Sequence, residues 1–209
     1  MEREELKKLI EDAIQKFSGS LYVPVGVSNR HIHVSREDLD ILYGKGYALT
    51  KMKDLKQPGE YAANETLEVK TKKGSFGKVR ILGPVRGNTQ VELSLSDSYG
   101  LGLSVPIRES GSIKGSEGVT LVGPKGEVTL TEGVIAAYRH IHMPKDMAEK
   151  YGFRNGDIVS VEKEGKRGLI FQDVMLRVSP KYALEMHIDV DEANAGSIRS
   201  GDLLKIIRT

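Results

Sequence analysis

The sequence predicts a mainly β protein built as two related modules, with short helices and an N-terminal amphipathic helix. Three observations carry that prediction. Short strand-like runs alternate with turn residues along most of the chain. Glycine is abundant (23 residues) while aromatics make up only 6% and Trp is absent. One tetrapeptide occurs twice, as Arg30-His31-Ile32-His33 and as Arg139-His140-Ile141-His142. At 209 residues, with 39% hydrophobic and 29% charged content, the chain suits one large or two small soluble domains with a buried core.

Taken in order, Leu6, Leu9, Ile10, Ala13, Ile14 and Phe17 recur at spacings of three and four, so a helix over residues 3–17 gathers them on one face. Ser18-Gly19-Ser20 ends it. A lone amphipathic helix must dock its apolar stripe, either on its own body, on a second subunit or on another protein. Strands are expected at Val23–Val27, Leu67–Thr71, Lys78–Leu82, Gln90–Leu95, Val119–Val122 and Val128–Leu130. Further strands are expected at Ile158–Glu162, Leu169–Val178, Met186–Val190 and Leu203–Ile207. Gly123-Pro124-Lys125-Gly126 reads as a hairpin turn. Short helices are expected at Ser35–Tyr43, opened by a Ser35/Asp38 capping pattern, at Thr131–Tyr138, and at Pro144–Tyr151, closed by Gly152. Many short strands with little helix point to small barrels or a sandwich.

The repeat organises the rest. Each copy of R-H-I-H runs into a short helix ending in Tyr-Gly, at Tyr43-Gly44 and Tyr151-Gly152. Gln90-Val91-Glu92-Leu93-Ser94-Leu95 aligns with Glu185-Met186-His187-Ile188-Asp189-Val190, which sets Glu92 against His187. The two modules meet near Tyr138.

Composition excludes several functions. With no cysteine there is no disulfide framework, thiolate zinc finger, iron–sulfur cluster or Cys nucleophile. Lys+Arg 31 against Asp+Glu 29 gives a formal charge of +2, so no polybasic field favours nucleic acid or an anionic membrane. No apolar run approaches a membrane span, and the charged N-terminus lacks the apolar stretch of a secretory signal, so a cytoplasmic protein is expected. Neither a P-loop nor a dinucleotide-binding glycine fingerprint is present.

Four of the five histidines lie in the two R-H-I-H copies, where chance would give about 0.1 H-x-H pair in the whole chain. On a strand, residues i and i+2 face the same way, so both imidazoles of an H-x-H converge on one point and offer two metal ligands. A third ligand from another strand completes a facial set with an open position. The repeat alignment assigns Glu92 to His31 and His33, and His187 to His140 and His142, with two sites close together between the modules. Zinc suits these sets best, and ferrous iron, cobalt or manganese could use the same donors. H-x-H pairs can also stack across strands without metal. Arg86, in the turn Gly83-Pro84-Val85-Arg86-Gly87-Asn88 that leads towards Glu92, is placed to bind a phosphate or carboxylate bidentately, unless it is an ordinary surface arginine.

The stretch Val25-Gly26-Val27-Ser28-Asn29-Arg30-His31-Ile32-His33 and the run from Leu82 to Arg86 and on to Thr89-Gln90-Val91-Glu92 resemble the PduL-type phosphate propanoyltransferases. So do Ser110-Gly111, residues 120–126, residues 139–144 and His187-Ile188-Asp189, and the likeness covers essentially residues 21–209. The resemblance implies two small β-barrel domains, at 21–138 and 139–209, with short capping helices, behind an N-terminal amphipathic helix within 1–20. It implies two zinc ions in a cleft between the domains, on the same two ligand sets, and Arg86 as an essential residue. Contacts to coenzyme A fall by resemblance on Ser28, Lys53, Arg80, Leu82 and Asn194. The implied activity is reversible transfer of a short acyl group, propionyl or acetyl, between coenzyme A and inorganic phosphate, giving acyl phosphate. Phosphate would attack the thioester directly, since no cysteine can carry the acyl group. Members of the family also work inside bacterial microcompartments, for which the N-terminal helix would serve as an encapsulation signal towards shell or lumen proteins. A homodimer or larger assembly is expected. Two other readings use the same residues: a binuclear metallohydrolase of thioesters or phosphoesters, and a zinc-stabilised scaffold module in which Asp97 or Asp189 closes the coordination.

Overall fold

The computed structural model describes residues 5, 6, 9, 10 and 20–207. Glu5, Leu6, Leu9 and Ile10 are helical and exposed, and the rest of the helix expected at 3–17 lies outside the described residues. The elements of the first half are β1 (Tyr22–Ser28), β2 (His31–His33), α1 (Arg36–Tyr43), β3 (Lys51–Asp54), β4 (Tyr61–Lys70), β5 (Ser75–Gly83), β6 (Gln90–Glu92), α2 (Leu95–Leu101), β7 (Ile107–Arg108), β8 (Thr120–Val122), β9 (Glu127–Thr129) and β10 (Val134–Ala137). The second half holds β11 (His140–Pro144), α3 (Lys145–Tyr151), β12 (Ile158–Lys163), β13 (Leu169–Ser179), β14 (Glu185–Asp189), α4 (Val190–Gly196) and β15 (Leu203–Ile207).

These elements form two compact units. In the C-terminal unit six strands close into a barrel in the order β1-β14-β11-β13-β12-β15. Alternate residues of each strand point inwards: Val23 and Val25 of β1, Ile141 and Met143 of β11, Met186 and Ile188 of β14, Val174 and Leu176 of β13 all join one core. Burying a side chain of this kind contributes about 1.5–3 kcal/mol. The expected domain of residues 21–138 would include β1. In the structure β1 instead pairs antiparallel with β15, Tyr22 opposite Lys205 and Pro24 opposite Leu203, and supplies two valines to this core.

The N-terminal unit, Ser28–Tyr138 with Asp189–Asp191, is a nine-stranded sheet in the order β7-β10-β6-β2-β5-β4-β8-β9, with β3 on the free side of β4. Its core gathers Ile32, Leu67, Val69, Val79, Ile81, Val91 and Leu121, with Leu39 and Leu42 of α1 packed among them. The residues 123–126 form the turn between β8 and β9, and Gly123 N donates to Gly126 O across it. Ser35 caps α1 by accepting from Asp38 N, and Gly152 closes α3 in the left-handed conformation.

Three local expectations are corrected. Thr131–Tyr138 is not helical: Val134–Ala137 is the strand β10, held between β6 and β7 by parallel pairing. Val134, Ile135 and Ala136 are buried on both faces, and that tertiary demand outweighs the helix preference of the alanines. The strand expected to run from Gln90 to Leu95 stops at Glu92, because Ser94 accepts from Asp97 N and opens α2. That is the same capping pattern as Ser35/Asp38. Likewise β14 ends at Asp189 and α4 begins at Val190.

Candidate metal centres

Each unit carries one ligand triad, and both are built the same way. In the N-terminal unit β2 lies between β5, parallel, and β6, antiparallel. Ile32 and Val91 face the core, so the alternation turns His31, His33, Gln90 and Glu92 to the other face. The register sets His31 opposite Glu92 and His33 opposite Gln90. In the C-terminal unit β11 lies between β13, parallel, and β14, antiparallel, with His140 opposite His187 and His142 opposite Glu185. Two H-x-H strands thus face two strands that carry the third ligand and, two residues earlier, one more polar side chain.

The ligand atoms of His31, His33 and Glu92 lie within 4.8 Å of one another, and so do those of His140, His142 and His187. His31 Nε2 is 3.3 Å from Glu92 Oε2, and His33 Nε2 is 3.8 Å from Oε1. His31 Nδ1 donates to the carbonyl of Asn29 at 2.9 Å, which leaves its Nε2 lone pair for a ligand. In the histidine triad the three ring centroids are 4.7, 5.1 and 4.8 Å apart, and Tyr182 stacks on His142 at 4.3 Å.

The electrostatics suit a cation. Burial, then the neighbouring His31 and Arg86, hold His33 down to about 3, and burial with His140 and His187 holds His142 down to about 2. Both imidazoles are therefore neutral near pH 7, the form that ligates metal. Burial opposes the charge on Glu92, yet His31, His33 and the Ser110 hydroxyl outweigh it and keep the carboxyl well below the ordinary range. Burial likewise opposes charge on His31, and Glu92 overcomes it and raises the imidazole. One buried nitrogen in each triad, Nδ1 of His33 and Nδ1 of His142, has no hydrogen-bond partner. A nitrogen buried without a partner costs about 1–3 kcal/mol. Imidazoles with one carboxylate or none, and no thiolate, make donor sets suited to zinc. The residues fit the metal that the family resemblance implies.

A polar chain surrounds the N-terminal triad. Gln90 Nε2 donates to Glu92 Oε1 at 2.6 Å, and Ser110 Oγ donates to the same oxygen at 2.8 Å. Arg86 reaches this chain through Nη1 to Ser110 Oγ at 3.2 Å, and its Nη2 meets Glu60 at 3.2 Å. The structure therefore brings Arg86 to the first triad. Lys53, Ala62 and Leu82 lie in one row across β3, β4 and β5. Arg80 is opposite His31 on β5, and its guanidinium donates to the carbonyls of Ala63 and Asn64. Ser28 ends β1, and Asn194 is an exposed residue of α4 in the other unit.

Sequence reasoning left several supporting residues without a role. Arg30 forms a bidentate pair with Asp97, at 2.9 and 2.7 Å, and covers the Phe76 ring at 4.4 Å. Arg139 pairs with Glu192 at 2.9 Å and lies 5.8 Å from the Phe171 ring centroid. Both acids stand five residues after the third ligand, a signal already present in the repeat. Asp97 is committed to Arg30 through both oxygens, Asp189 Oδ1 accepts from Asp191 N, and neither acid belongs to a cluster of ligand atoms.

Residues 24–199 match the family model described as phosphate propanoyltransferase. A phosphate propanoyltransferase of Thermotoga maritima is 54% identical over 185 residues, covering 88% of each chain. One from Priestia megaterium is 51% identical over 206 residues, covering 97% of this chain and 95% of the relative. One from Listeria monocytogenes is 44% identical over 208 residues, covering 100% and 98%.

Proposed function

The chain belongs to the phosphate propanoyltransferase family, and on that premise we propose that it transfers a short acyl group, propionyl or acetyl, reversibly between coenzyme A and inorganic phosphate. The observation that carries the reading is the link from Arg86 through Ser110 to Glu92, which sets a guanidinium beside a buried ligand triad.

The proposal includes a zinc ion in each triad, held by His31, His33 and Glu92 and by His140, His142 and His187. When bound, zinc supplies Lewis-acid stabilisation of charge on a phosphate or carbonyl oxygen. The chain's own residues do the rest. Ser110 and Glu60 orient the Arg86 guanidinium, whose planar fork matches two phosphate oxygens. Held there, a phosphate oxygen forms a bond to the thioester carbonyl carbon as the carbon–sulfur bond breaks. Coenzyme A leaves as the thiolate and takes a proton from solvent. Fixing both reactants makes this step effectively intramolecular. The chain has no cysteine to form a thioester intermediate, which supports direct attack. Ser28, Lys53, Arg80, Leu82 and Asn194 are proposed to hold coenzyme A, with Lys53 and Arg80 taking its phosphates. The exposed Leu6, Leu9 and Ile10 are proposed to mediate association, with a second copy or with microcompartment shell or lumen proteins.

The test is thiol release from propionyl-CoA and acetyl-CoA with and without phosphate, on zinc-loaded and metal-depleted protein. Release that needs both phosphate and metal, with acyl phosphate formed in equal amount, is expected. Release without phosphate would make the protein a hydrolase. No release from a fully metal-loaded protein would return it to the scaffold reading.

A further inference from the structure

The residue two positions before the third ligand differs in kind between the two triads, and the difference matches the ligand it touches. Glu92 is a carboxylate, which only accepts, and Gln90 gives it an N–H at 2.6 Å. His187 is an imidazole, and Glu185 Oε2 lies 2.8 Å from its Nε2. A carboxylate held so close to an imidazole nitrogen takes its proton in a hydrogen bond, so Nε2 carries the hydrogen and Nδ1 holds the lone pair. The set of ligand atoms clustered within 4.8 Å in this unit is His140, His142 and His187, and it does not include Glu185. Glu185 thus touches His187 without joining the three clustered ligands. Room for it comes from β1: a Cβ on Gly26 would fall 2.9 Å from both Cδ and Oε1 of Glu185.

We propose that Glu185 is the positioning residue of the histidine triad. It receives the Nε2–H of His187, fixes the ring and presents Nδ1 to the metal. His31 has the opposite arrangement, since its Nδ1 donates to Asn29 and its Nε2 faces the triad. His187 and His31 therefore bind through different ring nitrogens. A carboxylate behind a ligating histidine raises the basicity of the ring, and its loss costs about 10–100-fold in metal affinity. This inference rests on the metal reading above.

The experiment uses the full chain, labelled with 15N in its histidines and loaded with zinc. Nitrogen NMR of the wild type is expected to show His187 protonated at Nε2 and coordinated at Nδ1, with His31 coordinated at Nε2 in the same spectrum. Chelator competition is expected to find one of the two zinc affinities weakened about 10–100-fold in Glu185→Ala, less in Glu185→Gln, whose carbonyl still accepts, and the other affinity unchanged. Gly26→Ala is expected to reproduce part of the loss by pushing the carboxylate aside. Coordination of His187 through Nε2, or unaltered affinities in Glu185→Ala, overturns the assignment. If Glu185→Ala does not fold, the wild-type spectrum decides alone. A wild type that takes up no zinc overturns the metal reading itself, and the two failures are told apart by which protein fails.

Discussion

The N-terminal and C-terminal triads are two executions of one plan. Each has an H-x-H strand between a parallel and an antiparallel neighbour, and an arginine just before it pairs with an acid on the helix that follows the third ligand. Each neighbour strand carries Phe-x-x-Val around a residue with positive φ, Lys78 at 56° and Asp173 at 53°, where the pairing register shifts. The plans diverge at one ligand. Glu92 puts a carboxylate among the first triad's own donors, with a set of hydrogen bonds to hold it, while the second triad is three imidazoles and has its carboxylate as the partner of His187 instead. The geometry is shared, and a single ligand with its matched neighbour sets the two apart.

The largest expected effect comes from removing a shared feature. His33→Ala and His142→Ala should each lower kcat/KM for phosphate-dependent CoA release by on the order of a thousand-fold, about 4 kcal/mol. Near-normal turnover in one of them would show that only the other triad serves the reaction. Next comes a feature of the first unit alone. Arg86→Ala should lower turnover about a hundred-fold, with Arg86→Lys recovering only part because an ammonium cannot make the bidentate contact. Wild-type kinetics in Arg86→Ala would remove the arginine from the account.

The arginine–acid pairs give a smaller contrast, read by urea unfolding. Arg30→Ala strands a buried carboxylate that has both oxygens committed, and should cost about 2–3 kcal/mol. Arg139→Ala loses one bond to a more exposed glutamate and one to the carbonyl of Gln172, and should cost about 1 kcal/mol. Equal losses would break the comparison.

Acid should act through the same groups in the metal-free chain. His33 and His142, held down to about 3 and about 2, refuse protons that the unfolded chain accepts below its ordinary 6.5. Stability therefore falls as pH drops from about 6.5 towards 3. Glu92, held below its ordinary range, adds to the loss at the acid end of that window. His31 works the other way, because Glu92 raises it: its contribution is full below about 6.5 and is lost as pH rises through the raised value. His142→Ala should therefore flatten the fall in urea midpoint between pH 7 and pH 5, whereas His31→Ala should steepen it. The smallest effect belongs to the two bulges, where Lys78→Gly and Asp173→Gly should each stabilise by less than about 1 kcal/mol, by relieving positive φ. A larger gain would mean that these positions store strain.

Much of this plan is legible in the amino-acid order, because it depends on period-two alternation and on a repeat. The placement of His31, His33, Glu92, His140, His142 and His187 as two groups of three follows from R-H-I-H and one further alignment. Hairpins and long strands follow from β-branched runs and from Gly123-Pro124-Lys125-Gly126. What escapes is set by distant partners. Val134–Ala137 reads as helix locally and becomes a strand because β6 and β7 enclose it. The strand β1 sits beside the first H-x-H in sequence yet closes the barrel of the second, since its pairing partner β15 is some 180 residues away. Ser110–Glu92 joins residues 18 positions apart, which no local pattern encodes, and Arg30–Asp97, 67 apart, is signalled only by its counterpart in the repeat. The helix α2 was within reach, as Ser94 and Asp97 repeat the capping signal already used at Ser35 and Asp38.

The most direct test of the two-triad account is the number of zinc ions held per chain, measured by elemental analysis of purified wild type, His33→Ala and His142→Ala after removal of loosely bound metal. Two are expected in the wild type and one in each variant. A wild type with none, or variants that each keep two, would contradict it.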